Sequence, residues 1–386
     1  MAGLSPGAAA ADEPLKLAIP DLTGNAKVGT RSFPLVDRSR PAGFDQTGPR
    51  RLMVQVTYPR RPGRCQGASY LPDGTAERLL SYLALEGQKV EIRTGTCAGG
   101  PVVRRKLPLV VFSHAYTADR AVYTSLVADL ASRGFIVASI DHTSDAFAVE
   151  FPSGRVVDGV YGSPLSSKPI DEAELVKLVN VRTRDVRFVT TWLLKQNRLR
   201  RSWLGGRIDP KRIGVFGHSL GGATAARVAT VDRRFRASAD VDGSLFGEWP
   251  LTTKSRKPFL LFVSEGGLGS VLPQDKSCPY FGAAAQPKLA WQLTGSQHLS
   301  FSDFQTLAPQ IAAAKPDWPF ASLYPIIIGN LDPAASIASQ RGAIARFFRA
   351  YLRPPNARPK RVRPPAPPAG VTPVSAESLT CATATG

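Results

Sequence analysis

Ser219 lies in Gly217-His218-Ser219-Leu220-Gly221. Asp240 and Asp242 follow in Ala239-Asp240-Val241-Asp242-Gly243, and His298 closes the run Thr294-Gly295-Ser296-Gln297-His298. A serine, then an acid, then a histidine is the order in which a G-x-S-x-G elbow acquires its base and its orienting carboxylate. The chemistry of such a set is nucleophilic attack by the serine oxygen on an acyl carbon. The pentapeptide alone is weak evidence, arising by chance in roughly one chain in eight of this size. Gly3-Leu4-Ser5-Pro6-Gly7 matches it as well. That second match has no strand before it and holds a proline, so Ser219 is the candidate nucleophile and Ser5 is not.

The base follows by elimination. The four histidines are His114, His142, His218 and His298, and only His298 comes after Ser219. Imidazole exchanges its proton near neutral pH, as a general base for serine must. The acid belongs at a strand end between Ser219 and His298. Asp240 and Asp242 point to opposite faces of a strand, so one of them at most faces His298. Asp242 is preferred because it is nearer the strand end and precedes Gly243; Asp232 and Asp275 read as loop charges. The oxyanion of an acyl intermediate needs two backbone N–H groups. Leu220, directly after the nucleophile, is one. The other comes from Ser113-His114-Ala115-Tyr116-Thr117, with Tyr116 first and Ala115 second.

These residues need a scaffold that gathers strand ends. Leu52–Tyr58, Leu107–Ser113, Phe135–Ile140, Arg212–Phe216, Ser238–Val241, Phe259–Val263 and Leu289–Leu293 are short apolar runs that read as strands. Ala121–Ser132, Glu172–Gln196, Leu220–Thr230 and Ala335–Leu352 read as helices between and after them. Such alternation implies a mostly parallel sheet with helices on both faces, and with the elbow at Ser219 the expected fold class is α/β, of the α/β-hydrolase type. Sheets of this kind bind ligands at the carboxyl ends of their strands. His114, His142, Ser219, Asp242 and His298 all follow expected strands.

The domain is expected to span residues 31–353, with a polar insertion at 61–106 holding one helical stretch at 76–85. Residues 1–30 read as a flexible leader, with Ala8–Ala11 resembling the end of a signal peptide that lacks its charged and apolar parts. Residues 354–386 read as a Pro/Arg-rich tail without regular structure. Four cysteines outside any C-x-x-C pair suggest two disulfides, Cys65–Cys97 and Cys278–Cys381, in an exported protein. Extracellular location is the expectation; the incomplete signal keeps the cytoplasm as the alternative. The net charge of +19 favours anionic surfaces as partners. No nucleic-acid-binding spacing is present, no apolar run is long enough to span a bilayer, and no metal or cofactor is expected.

With those residues in hand, the chain resembles the platelet-activating-factor acetylhydrolase (isoform II) family, including its bacterial lipase-like members. The resemblance is carried by VGTRSFPLVDRSRP, TGPRRLMVQVTYP, LPLVVFSHAYTADRAVYTSLVADLASRGFIVASIDH, RIGVFGHSLGG, ADVDGSLFG, PFLLFVSEG and GSQHLSFSDF, most of residues 28–305. It implies a triad of Ser219, Asp242 and His298, with the acid 23 residues after the serine, and oxyanion amides at Tyr116 and Leu220. The family usually has Gly after the strand-end histidine, where this chain has Ala115. Polyester-degrading relatives carry a Tyr-Thr-Ala run like Tyr116-Thr117-Ala118, so substrate identity stays open.

The expected activity is hydrolysis of a carboxylic ester, as by an esterase or lipase acting on a small-molecule or lipid ester, through an acyl-enzyme on Ser219. The alternatives are an acyltransferase using the same intermediate and a non-catalytic basic binding protein on a hydrolase scaffold. Phe246 and Trp249 are candidates for the acyl pocket, with core packing as the competing role. The segment 143–168 is a candidate wall or lid.

Overall fold

The structure is a computed structural model that describes residues 13–44, 46–162, 169–253, 255–265, 275–285, 287–354 and 365–374. In chain order the strands are β1 (Leu15–Ala18), β2 (Val28–Gly43), β3 (Gln46–Pro59), β4 (Val90–Arg93), β5 (Cys97–Ala98), β6 (Leu107–Ser113), β7 (Ile136–Asp141), β8 (Ala148–Glu150), β9 (Val156–Asp158), β10 (Ile208–His218), β11 (Phe235–Val241), β12 (Phe259–Ser264), β13 (Lys288–Leu293) and β14 (Val371–Pro373). The helices are α1 (Asp73–Tyr82), α2 (Thr124–Ser132), α3 (Glu172–Arg198), α4 (Leu220–Val231), α5 (Trp249–Thr252), α6 (Ser277–Ala283), α7 (Phe304–Ala314), α8 (Tyr324–Ile328) and α9 (Pro333–Tyr351).

Among the described residues ten strands form one sheet in the order β14-β13-β12-β11-β10-β6-β7-β3-β2-β5. The six from β13 to β7 run parallel, while β3 and β2 extend the sheet antiparallel on one side and β14 on the other. Every residue of β6 is buried, and the strand feeds two layers by alternation. Val110 and Phe112 pack with α2 and α9, whereas Leu109 and Val111 pack with α3 residues Val186, Val189 and Leu193 on the other face. A strand covered on both faces must be apolar at every position, which explains LPLVVFS.

The helix ends carry their own signals. Asp171 caps α3 by accepting from the Glu174 N–H, and Asp332 caps α9 by accepting from the Ala335 N–H ahead of Pro333 at the first helical position. The chain passes from β6 to β7 on one side of β6 and returns through α3 to β10 on the other. The direction of winding therefore reverses between β6 and β10, and a crevice opens where their carboxyl ends diverge. This is the α/β-hydrolase arrangement.

Three segments depart from expectation. Residues 15–18 lie in the expected leader yet form β1, parallel to β4, and bury Leu15, Leu17 and Ile19 beside Tyr70, Leu79 and Phe304. Its four residues are too few for periodicity to reveal, and its partner lies some seventy residues away. Val371–Pro373, inside the expected structureless tail, pairs antiparallel with β13. An edge strand tolerates proline because one side of it needs no donor, so Pro373 does not prevent pairing. The insertion helix is Asp73–Tyr82, a few residues earlier than expected. Cys65 and Cys97 are disulfide-bonded across the insertion. Cys278 is also disulfide-bonded; Cys381, its expected partner, lies outside the described residues.

Candidate active site

β10 ends at His218 and α4 begins at Leu220, leaving Ser219 alone in the turn with φ 56° and ψ −123°. A non-glycine residue there is strained and persists only where its surroundings over-determine it. The neighbouring glycines supply that constraint. A Cβ on Gly217 would stand 2.2 Å from the Gly221 backbone, and one on Gly221 would stand 2.1 Å from the Ser113 carbonyl oxygen. The elbow therefore packs backbone on backbone and pushes the serine side chain outward.

His298 opens a short 3₁₀ turn, His298–Phe301. Gln297 and Ser300 cap it reciprocally, and the Ser300 hydroxyl donates to the Ile328 carbonyl. His298 Nδ1 lies 2.7 Å from Asp242 Oδ2, with the carboxylate buried and the imidazole half exposed. Asp242, like Ser219, has a positive φ, 52°. Its oxygens also accept from the Ser264 N–H at 2.7 Å and the Ser264 hydroxyl at 3.0 Å. Burial pushes its pKa up, but the His298 ring and the Ser264 N–H more than offset this and hold the carboxyl below the usual range. A carboxylate accepting the Nδ1 proton leaves Nε2 as the basic nitrogen.

Asp240, the alternative acid, points the other way as strand alternation requires. It is fully buried, and among the described residues neither of its oxygens closes a hydrogen bond. Burial, with Asp275 and Asp242 nearby, raises its pKa well above the ordinary value, which favours its protonated form. One oxygen lies 1.8 Å from where a Cβ on Gly222 would be, which is why the elbow continues with a second glycine. His218 is buried beside the site, its ring 4.6 Å from that of His298. Burial and the charge on His298 lower its pKa to about 3. His218, Asp242 and His298 bring ligand-type atoms within 4.8 Å, but the nearest pair is already the Asp242–His298 hydrogen bond, and His218 Nδ1 is engaged with Tyr123.

The loop after β6 carries the other expected contributor. Leu220 opens α4, so its N–H has no intrahelical acceptor. The Ala115 N–H is taken, donating to Tyr123 Oη at 3.2 Å, while Tyr123 Oη lies 2.9 Å from His218 Nδ1. This favours Tyr116 over Ala115. The Ala115 carbonyl and the Tyr116 N–H belong to one planar trans peptide and point in opposite directions. That carbonyl accepts from His114 Nδ1 at 2.7 Å and from Arg182 Nη2 at 3.2 Å. Arg182 also donates to the His114 carbonyl and binds Asp145 through two nitrogens. Fully buried, Arg182 fixes the peptide whose other end is the Tyr116 N–H. Sequence spacing gave no sign of it, since Arg182 lies on the inner face of α3, 67 residues from Ala115.

Ser219 and His298 line one cavity of about 170 Å³ with Ala115, Tyr116, Ala118 and Phe304 among its walls. Phe246 and Trp249 are absent from it: Phe246 is buried in the core beside α6, and Trp249 stacks edge-on against Tyr280. Of the candidate lid, residues 148–158 form the β8–β9 hairpin and none of the described part lines this cavity; residues 163–168 lie outside the described residues.

A second Ser–His–Asp chain exists. Ser113 Oγ lies 2.9 Å from His142 Nε2, and His142 Nδ1 lies 2.9 Å from Asp185 Oδ2. All three side chains are fully buried, and none lines the Ser219 cavity. Arg40 and Arg50 also bind Asp185. This is a structural network tying β6, β7 and α3 together.

The platelet-activating factor acetylhydrolase, isoform II, family model matches residues 79–153 and 185–322, more than half of the chain. A probable 1-alkyl-2-acetylglycerophosphocholine esterase of Arthroderma benhamiae is 27% identical over 259 residues, 62% of this chain and 62% of that protein. A platelet-activating factor acetylhydrolase of Cavia porcellus is 28% identical over 216 residues, 52% of this chain and 49% of that one. The chain thus spans about half to three fifths of the length of these curated relatives. The solved ferulic acid esterase from Streptomyces cinnamoneus superposes with a TM-score of 0.73 at 30% identity, covering 93% of this chain and 99% of that one. No helix among the described residues is long and apolar enough to cross a membrane. Sequence, fold and the crevice between β6 and β10 agree, and the chain belongs to the platelet-activating factor acetylhydrolase, isoform II, family.

Proposed function

We propose that this protein hydrolyses carboxylic esters of short acyl chains, with Ser219 as nucleophile, His298 as general base and acid, and Asp242 as the residue that orients it. The observation that carries the reading is the strained Ser219 sharing a cavity with His298, whose Nδ1 is held by a buried carboxylate. Ser219 Oγ attacks the acyl carbon and passes its proton to His298 Nε2. Asp242 stabilises the imidazolium that results. The Tyr116 and Leu220 N–H groups receive the carbonyl oxygen as it gains charge. The C–O bond to the alcohol breaks, and the leaving oxygen takes the proton from His298. Water then gives a proton to His298, attacks the acyl carbon and releases the carboxylic acid, while Ser219 regains its hydrogen.

The volume of about 170 Å³ and the apolar walls supplied by Ala118, Val122, Leu299 and Phe304 favour a small acyl group. The names of the relatives, which include an acetyl-glycerophosphocholine esterase and a ferulic acid esterase, support an ester with a bulkier alcohol or acid part outside the cavity. The disulfides support an oxidising compartment. The net positive charge supports residence on anionic surfaces where lipid esters are presented.

The test is a p-nitrophenyl ester series from acetate to dodecanoate. The expected kcat/KM is greatest at two to four acyl carbons, on the order of tenfold above dodecanoate. Ser219→Ala is expected to lower kcat by at least ~10⁴-fold. Undiminished turnover in the folded Ser219→Ala protein would overturn the reading.

A further inference from the structure

A second apolar space lies directly behind the Ser219 cavity. It measures about 40 Å³ and sits beneath the insertion between β3 and β6. Two residues, Val122 and Phe304, line both spaces and so stand between them. Beyond them the walls come from Leu17 of β1, Leu79 of α1, Ile92 of β4 and Leu307 of α7. Among the described lining residues only Tyr70 has a polar side chain, and its hydroxyl donates to Asp303 Oδ2 at 3.0 Å. A space lined in this way offers water no partner and takes apolar guests instead.

The wall between the two spaces is clamped. Val122 and Phe304 are both buried. Asp303, the residue before Phe304, donates its N–H to the Val122 carbonyl at 2.7 Å. The buried Asp303 carboxylate accepts from the Thr124 N–H at 2.8 Å, the Ser125 N–H at 3.0 Å and the Tyr70 hydroxyl. These bonds tie the stretch leading into α2, the start of α7 and the insertion together at one point. Val122 and Phe304 cannot drift apart without leaving buried polar groups short of partners, which is costly. The limit they set is therefore a property of their side chains on a fixed backbone.

An acyl chain that outgrows the Ser219 cavity on this side meets Val122 and Phe304, and behind them only hydrocarbon. In the parent protein the extra carbons have no place, because a packed wall does not admit another methylene without strain. Shortening one of the two side chains joins the spaces into a single apolar tract. Each methylene that then leaves water is worth about fourfold in affinity.

We propose that Phe304, with Val122, is the specificity-determining wall of the ester cavity. It restricts the enzyme to short acyl chains by closing off the space beneath the insertion, and that space receives the far carbons of a medium-length acyl chain once the wall is shortened. The inference rests on the reading of Ser219 as the nucleophile, and it gives the insertion a part in substrate selection.

The test is the octanoate-to-acetate ratio of kcat/KM, measured with p-nitrophenyl esters on the full chain. A ratio taken on one preparation is independent of the fraction folded. Phe304→Ala is expected to raise it at least about tenfold, the worth of two admitted methylenes. Val122→Ala, a smaller change in the same wall, is expected to raise it about threefold and carries the test if Phe304→Ala does not fold. Leu299→Ala enlarges the Ser219 cavity at a wall that the second space does not share, and is expected to change the ratio less than about threefold. Adding Leu79→Phe to Phe304→Ala refills the second space from the insertion side and is expected to bring the ratio back to within about threefold of the parent value. An unchanged ratio in both wall variants overturns the proposal, as does an equal rise in Leu299→Ala. A ratio that stays high in the Leu79→Phe double variant overturns the assignment of the space beneath the insertion. Ser219→Ala run alongside separates the two claims: hydrolysis that survives it refutes the nucleophile, whereas hydrolysis that it abolishes, with unchanged ratios in the wall variants, refutes this inference alone.

Discussion

Arg182 holds Asp145 at 2.6 Å while reaching the carbonyl of Ala115 with the same nitrogen, Nη2. The ion pair thus acts on a peptide plane rather than on a substrate. Arg182→Lys keeps the charge but loses the planar fork that serves a carboxylate and two carbonyls together. It is expected to lower kcat about 10- to 100-fold with KM nearly unchanged, because the lost effect is alignment of an oxyanion donor. Kinetics on p-nitrophenyl acetate, at a temperature where melting curves show the variant folded, check this. A lower melting temperature with kcat unchanged would reduce Arg182 to a structural residue.

Asp240 and Asp242 are two residues apart and do opposite things. Asp242→Asn is expected to cut kcat by about 10³–10⁴-fold by presenting the wrong partner to His298. Asp240→Asn, which puts a neutral amide where burial favours the neutral acid, is expected to leave kcat within about threefold.

Their difference also appears in stability. The Asp240 pKa is raised in the fold, mainly by burial. Above the ordinary carboxyl pKa the native chain therefore holds a proton that the unfolded chain has lost. Its contribution is fully present below that pKa and is lost as pH rises toward the folded value. Asp240→Asn removes this loss, so the variant should gain on the parent protein between pH 5 and pH 8. Urea melts at the two pH values measure it; an equal difference at both means that Asp240 is ionised in the fold.

Ser113 has a complete hydrogen-bonded histidine and acid, yet it is sealed. Ser113→Ala should cost about 1 kcal/mol of stability through the lost bond to His142 and leave ester turnover within about fivefold. Loss of activity as large as in Ser219→Ala would mean that the buried network takes part in the reaction.

The Cys65–Cys97 bond closes a 32-residue stretch beside β5, the outermost strand on its side of the sheet. Cys65→Ser with Cys97→Ser is expected to lower stability by roughly 3–4 kcal/mol. Because the elbow sits five strands inward, at the end of β10, turnover at low temperature should be retained. Denaturant unfolding and initial rates on the same preparation separate the two effects.

The elbow was legible because its signals are local. An apolar strand, a serine among glycines and a small-residue helix are contiguous, and the scarcity of histidines singled out His298. Strand alternation separated Asp242 from Asp240 for the same reason. What escaped was set by contacts distant in sequence. Arg182 resembles any other arginine on an amphipathic helix until α3 packs under the β6 loop. β1 depends on β4, and β14 depends on β13. Tyr123, which uses up the Ala115 N–H, reads as an ordinary apolar-face residue of the segment that leads into α2.

The groups proposed to do the chemistry stand on strand ends and are locked by neighbours such as Ser264, Arg182 and the elbow glycines. The other walls of the cavity come from the stretch leading into α2 and from the rest of the 3₁₀ turn that His298 opens, with the start of α7. Reaction and recognition therefore fall to different side chains, although Leu299 directly follows His298 and Ala118 stands two residues after Tyr116. Substitutions at Ala118, Val122, Leu299 or Phe304 can retune which acyl group enters without disturbing the groups that attack it. A laboratory selection for new substrates should find its successful variants at those four positions first.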